Sequence, residues 1–90
     1  MTEEEQALLR PFLDEQGRLT AFPAKRKKKQ AALLYLAEKF PMGEQWTERQ
    51  VNERLLAWHT FGDPATLRRE LYDARLLERT ADGRTYWRDA

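Results

Sequence analysis

The order of local signals predicts a mainly α fold with a small antiparallel β-hairpin or sheet, namely a winged helix-turn-helix with an extra N-terminal helix. Three observations carry that expectation. A strongly helical block from about Ala24 to Phe40 precedes two shorter helical patterns joined by "HTFGDP". A β-prone "QWT" separates the long block from the first of the shorter ones. The tail, "LLERTADGRTYWRD", places Asp82-Gly83 before Thr85, Tyr86 and Trp87. Asp-Gly is a strong signal for a two-residue hairpin turn, and the residues after it are good strand formers.

Each element has its own local cause. Thr2 and Glu5 have the spacing of a capping box, and Leu8, Leu9, Phe12 and Leu13 follow with a helical period that Pro11 cuts short. "DEQG" reads as a turn, and "RLTAFP" as extended chain, since the residue before proline avoids the helical region. In the long block, Leu33, Leu36, Ala37 and Phe40 form a core stripe, while Ala31, Ala32, Leu34 and Tyr35 spread apolar character around most of the cylinder. A helix of that kind is central and covered on several sides. Pro41 and Gly43 end it.

Thr47 with Gln50 is a second capping box and opens a helix to about His59, with Val51, Leu55 and Trp58 inward. Asp63-Pro64 is a helix start, an N-cap carboxylate followed by proline at the first helical position. That helix runs to about Arg75 with Leu67, Leu71 and Ala74 inward. The joint between the two is short and holds a glycine, as helix-turn-helix joints do. Trp46 and Trp87 are expected to seal the sheet against the helices. Residues 1–17 form an acidic helix and turn, and residues 18–90 the winged-helix-like domain, within one compact unit.

Composition narrows the function. A chain of 90 residues, 41% hydrophobic, makes one small domain. Cysteine is absent, which removes disulfides, thiolate metal sites and a cysteine nucleophile. No apolar run approaches the ~20 residues of a membrane span, and the acidic "MTEEEQ" start is wrong for a signal peptide, so a cytoplasmic protein is expected. His59 is the only histidine and is expected to cap a helix end; no catalytic set or phosphate-cradling glycine loop is visible. An enzyme and a cofactor are not expected.

The formal net charge of +1 conceals segregation. Residues 1–15 carry Glu3, Glu4, Glu5, Asp14 and Glu15 against Arg10 alone. From Gln16 to Ala37 the only charges are Arg18, Lys25, Arg26, Lys27, Lys28 and Lys29. Cations in a first helical turn oppose the helix dipole at about 0.3–1 kcal/mol each. Because successive residues advance about 100°, they form a collar rather than a stripe, suited to any polyanion. The competing expectation is that the collar clamps the acidic N-terminal segment, in the same chain or in a second copy.

The stretches "GRLTAFPAKRKKKQAALLYLAEKF", "WTERQVNERL", "ATLRRELYDARLLER" and "DGRTYWR" together resemble the bacterial family called domain of unknown function 2087. The resemblance runs from about Leu9 to Arg88. It implies an association with helix-turn-helix transcriptional regulators, and it supplies no catalytic residues. The 90 residues include no companion DNA-binding domain of that kind, so direct binding and an accessory role are both expected alternatives.

Double-stranded DNA is therefore the first expected partner. The second helix of a helix-turn-helix enters the major groove, here the one after Asp63-Pro64. With Leu67 and Leu71 inward, Arg68, Arg69 and Tyr72 are expected to turn outward, with Arg75 on the flank and Arg84 on the hairpin tip. Arginine suits guanine edges and phosphates. Asp73 shares that outward side and would repel a phosphate. The alternative is a protein-interaction or dimerisation module with the same fold, docking on a regulator or on a second copy.

Overall fold

In the computed structural model, which describes residues 1–89, the chain enters α1 (Glu3–Leu9) through a reciprocal cap. Thr2 Oγ1 accepts from the Glu5 N–H at 3.1 Å, and Glu5 Oε1 accepts from the Thr2 N–H at 2.9 Å. Pro11 has no N–H to continue the ladder, so the helix gives way to a 3₁₀ turn at Arg10–Phe12. Asp14 then folds the chain back: its Oδ1 accepts from the Gln16 and Arg18 N–H groups at 3.0 and 2.8 Å. Gly17, at φ +79°, completes the turn.

The segment after the turn is a strap. Leu19 is fully buried and bridges Leu13 on one side and His59 on the other. Its N–H donates to Trp58 O at 2.8 Å, and its carbonyl accepts from Thr60 N–H at 3.0 Å. The N-terminal segment is thereby stitched to the joint between the third and fourth helices.

Helix α2 (Arg26–Ala37) is the central helix, in contact with both α1 and the helix that begins at Pro64. Ala31, Ala32, Leu33, Leu36 and Ala37 are all buried along it, with Phe40 just beyond. It is shorter than its periodicity suggests. Lys25 is an N-cap without a side-chain hydrogen bond, so the first cation lies outside the helix and escapes part of the dipole penalty. At the other end Lys39 and Phe40 bond back only three residues, to Leu36 O and Ala37 O at 3.0 Å each, so the last turn tightens.

Strand β1 (Gln45–Thr47) leads into α3 (Glu48–Ala57) through the Thr47–Gln50 capping box. Helix α4 (Pro64–Asp73) follows, then β2 (Leu77–Arg79) and β3 (Thr85–Arg88). The described residues thus hold four α-helices and one three-stranded antiparallel sheet, in the order β1-β3-β2.

Two sequence expectations fail in the sheet. The register places Trp46 opposite Tyr86, and both are buried. Side chains alternate faces along a strand, so Trp87 turns outward, between Gln45 and Glu78. Tyr86, not Trp87, closes the core with Trp46. The hairpin connection is also longer than two residues. Thr80 N–H donates to Thr85 O at 2.9 Å, leaving Ala81 to Arg84 as the loop. A two-residue type I′ turn needs positive φ at both central positions, and here only Gly83, at +70°, has it. Asp82 instead accepts from the Thr80 hydroxyl at 2.6 Å and the Arg84 N–H at 3.0 Å.

Candidate nucleic-acid interface

Asp63 sets the start of α4: its Oδ1 accepts from the Thr66 N–H at 3.2 Å, with Pro64 at the first helical position. Hydrogen bonding from Thr66 holds the Asp63 carboxyl below its ordinary range. Leu67 and Leu71 are fully buried and fix the rotation of the helix, each burial being worth about 1.5–3 kcal/mol. At about 100° per residue, the other side chains fall into three directions.

Arg68 leans toward α3 and does not turn outward as its spacing suggests. Its Nη1 donates to Asn52 Oδ1 at 2.5 Å, its Nη2 lies 3.2 Å from Glu48 Oε1, and its side chain is only 18% exposed. Glu70 leans the other way, toward α2, and its Oε2 meets Lys29 Nζ at 2.6 Å. Arg69 and Asp73 face solvent; among the described residues Arg69 has no polar partner. Tyr72 is half-buried, with the Arg79 guanidinium 4.6 Å from its ring centre.

Arg75 lies beyond the helix rather than within it. Leu76 N–H bonds to Leu71 O and Arg75 N–H to Tyr72 O, both at 3.0 Å, the two bonds of a Schellman stop. The position between them needs a left-handed residue, usually glycine. Arg75 occupies it at φ +59°, alone among the described non-glycine residues in having positive φ.

The cationic block divides in two. Lys25, Arg26 and Lys27 are exposed, with no partner among the described residues. Lys28 lies 5.8 Å from the Phe12 ring centre, and Lys29 lies 5.5 Å from that of Phe22 as well as on Glu70. Among the described residues no ion pair joins Glu3, Glu4 or Glu5 to this block; the N-terminal amine, 3.7 Å from Glu38, is paired at the other end of α2. The clamp within one chain is therefore not formed. Arg18 is tied into its own turn, with Nε 2.8 Å from Asp14 Oδ2. Arg84 is 86% exposed at the hairpin tip, loosely opposed by Asp82 at 3.8 Å.

The profile of a family described as an uncharacterized protein conserved in bacteria (DUF2087) matches residues 18–88. The chain belongs to that family. No curated protein and no solved structure matches it.

In this DUF2087 chain the residue that sequence reasoning passes over is Arg79. It reads as one charge in the β-prone "LLERT", yet it sits opposite Tyr86 in the sheet and against Tyr72 of α4. Its guanidinium bridges the hairpin and the helix. A cavity of about 200 Å³ lies there, lined by Glu48, Arg68, Arg69, Tyr72, Arg79 and Tyr86.

His59 is committed to structure. It is 3% exposed, and its Nε2 accepts from the Asp63 N–H at 2.9 Å. A backbone N–H can only donate, so Nδ1 carries the ring hydrogen and donates to Leu55 O at 2.5 Å. The ring thus ties the end of α3 to the start of α4, setting the angle between the two helices. No helix among the described residues is long and apolar enough to cross a membrane.

Proposed function

We propose that this chain is a DNA-binding winged-helix protein acting in bacterial transcriptional control, with α4 as the groove-entering helix and β2–β3 as the wing. Support comes first from connectivity. Helix, strand, helix, helix, strand, strand, with the first strand paired to the last, leaves α4 on the surface beside the hairpin. The observation that carries the reading is the pair of contacts on the flanks of α4. Lys29 on Glu70 brings the start of α2, and with it Lys25, Arg26 and Lys27, to one flank. Arg79 on Tyr72 brings the hairpin to the other. Arg69 lies between them, free to meet a base edge or a phosphate.

In this reading the exposed cations supply backbone contacts and Arg69 supplies sequence preference, helped by Arg75 and Arg84. Arg68 acts through the scaffold, and Arg18 stays with its turn. The test is fluorescence anisotropy with labelled duplex. Affinity should fall with salt at a log–log slope near −0.9 per phosphate neutralised. Absence of binding at about 50 mM salt, where non-specific contacts are strongest, overturns the reading.

One observation favours a second reading, a two-fold dimer. Among the described residues Glu3, Glu4 and Glu5 of α1 form no ion pair, and of the cationic block only Lys29 does, with Glu70; patches of opposite sign left open in this way complement one another across a two-fold axis. Replacing Glu3 and Glu4 by lysine separates the readings: it dissociates such a dimer, whereas it strengthens binding to DNA.

A further inference from the structure

The geometry points to a phosphate-binding site in the cavity between α4, the start of α3 and the hairpin, with Arg69 and Arg79 as the charged ligands and the Tyr72 and Tyr86 hydroxyls as neutral ones. The proposal deepens the DNA reading where the phosphate belongs to a duplex, the Arg69 guanidinium then dividing its donors between that phosphate and a base edge, and stands apart from it where the phosphate is free.

The lining holds three guanidinium groups against one carboxylate. That carboxylate, Glu48, is taken up by Arg68, which also holds Asn52. Arg68 and Glu48 therefore cancel each other, and Asn52 is used as well. Arg69 and Arg79 remain as two positive groups without an acidic partner among the described residues. Two like charges around one cavity repel each other, and an anion between them relieves that repulsion.

A free arginine side chain loses rotamer freedom when it binds, at a cost of about 0.5–1.5 kcal/mol. Arg79 has lost part of that freedom already. Its guanidinium is held over the Tyr72 ring, and the nearby Tyr72, more than Tyr86, favours its charged form against some desolvation. Close by, the glycine at 83 leaves room: a Cβ there would stand 3.1 Å from the Arg79 Nη1. Arg69 arrives from the exposed face of a helix whose rotation Leu67 and Leu71 fix.

A planar fork of N–H donors matches the edge of a tetrahedral oxyanion with two parallel bonds, which an ammonium cannot do. The cavity of about 200 Å³ admits a phosphate together with several waters, each water claiming about 30 Å³.

The experiment is a titration with inorganic phosphate, at constant ionic strength kept with chloride, followed by NMR at the arginine Nε–H and the backbone. Phosphate should shift Arg69, Arg79, Tyr72 and Tyr86 along one saturable curve. Arg79→Gln and Arg69→Gln, both at exposed positions, should weaken that curve about tenfold or more, the loss expected for a hydrogen bond to a charged group. Arg79→Lys should weaken it too, because it keeps the charge and loses the fork. Arg49→Gln, in the first turn of α3 but paired with Glu53 and outside the cavity lining, is the control and should leave it unchanged.

Shifts spread evenly over Lys25 to Lys27, or an Arg79→Lys variant that binds phosphate as the parent does, overturn the proposal in favour of a diffuse ion atmosphere. Labelled duplex forms the second arm. Duplex binding that Arg79→Gln weakens on every sequence, and that phosphate displaces, assigns the site to the DNA backbone. A saturable phosphate site in a chain that binds no duplex at about 50 mM salt assigns it to free phosphate or a phosphomonoester, and ends the DNA reading alone.

Discussion

The Lys29 ammonium lies 2.6 Å from the Glu70 carboxylate, so the first turn of α2 and the middle of α4 share an ion pair. That contact gives the cationic block a fixed place beside α4 and leaves its members chemically unequal. Lys29 is half-spent on Glu70, Lys28 lies over an aromatic ring, and Lys25, Arg26 and Lys27 reach into water. Arg26→Ala with Lys27→Ala should therefore weaken duplex binding uniformly across sequences and make the salt slope shallower by about 0.9 for each phosphate no longer neutralised. Lys29→Ala should change the slope less than either, since its charge is already matched by Glu70. Salt-dependent anisotropy on two unrelated duplexes measures both effects, and equal slopes for all three positions would contradict the inequality.

Arg68 and Arg69 are neighbours in sequence with opposite duties. Arg68→Ala strips Asn52 and Glu48 of their shared donor, and should cost about 1–3 kcal/mol of stability. Arg69→Ala removes no polar contact among the described residues and should stay within about 0.5 kcal/mol of the parent. Duplex binding should show the reverse order, with Arg69→Ala relaxing sequence preference. A double-mutant cycle between Arg68 and Asn52, by urea unfolding, isolates the pair: a coupling energy near zero would mean that the contact is incidental.

Arg75 holds a backbone conformation that costs a non-glycine residue roughly 1–2 kcal/mol. Arg75→Gly keeps the Schellman bonds and removes that strain, so it should raise the stability of the chain by about 1 kcal/mol. For a domain of this size the melting temperature should rise by about 4–8 °C. In the DNA reading the same variant binds duplex more weakly, because an exposed cation beside α4 is gone. A more stable protein with weaker binding is the expected signature of strain kept for function. A fall in melting temperature would show that the arginine side chain supports the fold.

How much of this was legible in the sequence follows the range of the forces. The caps at Thr2, Thr47 and Asp63 were readable because donor and acceptor lie within three residues of each other. Element order was readable for the same reason. The inward residue of β3 was not, because Thr85, Tyr86 and Trp87 are all good strand formers and only the pairing with Trp46 decides between them. Arg68 misled because helical period gives its angle from Leu67 but not the presence of Asn52 on the neighbouring helix. Arg79 left a faint signal, an arginine two residues from an Asp-Gly loop and within reach of tyrosines. Its meeting with Tyr72 depends on α4 packing against β2, which no local pattern records.

Acid should weaken the fold in part through four carboxyls whose charged forms are favoured by local hydrogen bonds. Glu5 is held below its ordinary 4.5 by the Thr2 N–H, and Asp14 below 3.8 by the Arg18 N–H. Asp63 is held below 3.8 by Thr66, and Asp82 by the Thr80 hydroxyl. A lowered folded-state value means that the unfolded chain binds protons first as pH falls. The stabilisation is complete above the ordinary values and is lost as pH drops through the folded ones. Urea midpoints should hold level from neutrality to about pH 5 and then decline. Asp82→Asn removes one titrating group and should make the decline shallower; an unchanged acid limb would show that Asp82 contributes nothing to it.

The Asp14–Gly17 turn launches the Leu19 strap and rests against α2. Gly17 and Gly43 both sit at positive φ, +79° and +82°. Alanine at either site therefore incurs the same left-handed penalty, roughly 1–2 kcal/mol. Around Gly43 a new Cβ would meet nothing within 4 Å, whereas at Gly17 it would stand 2.9 Å from the Tyr35 hydroxyl oxygen. That hydroxyl donates to Gly17 O at 2.6 Å and must move, which gives up a partly buried hydrogen bond worth about 0.5–1.5 kcal/mol. Tyr35 also meets Trp58 edge-on at 6.3 Å, and the Lys39 ammonium lies 4.1 Å from the Tyr35 ring centre and 4.0 Å from that of Trp58, so the shift spreads to the strap's own seat. Gly17→Ala should therefore destabilise the chain more than Gly43→Ala, by about the worth of that one bond. In a Tyr35→Phe background the two substitutions should become nearly equal, because the atom that makes them differ is gone. Thermal melts of the four variants decide the point: a gap that persists without the hydroxyl would place the cause in the backbone of the Asp14–Gly17 turn, not in its contact with α2.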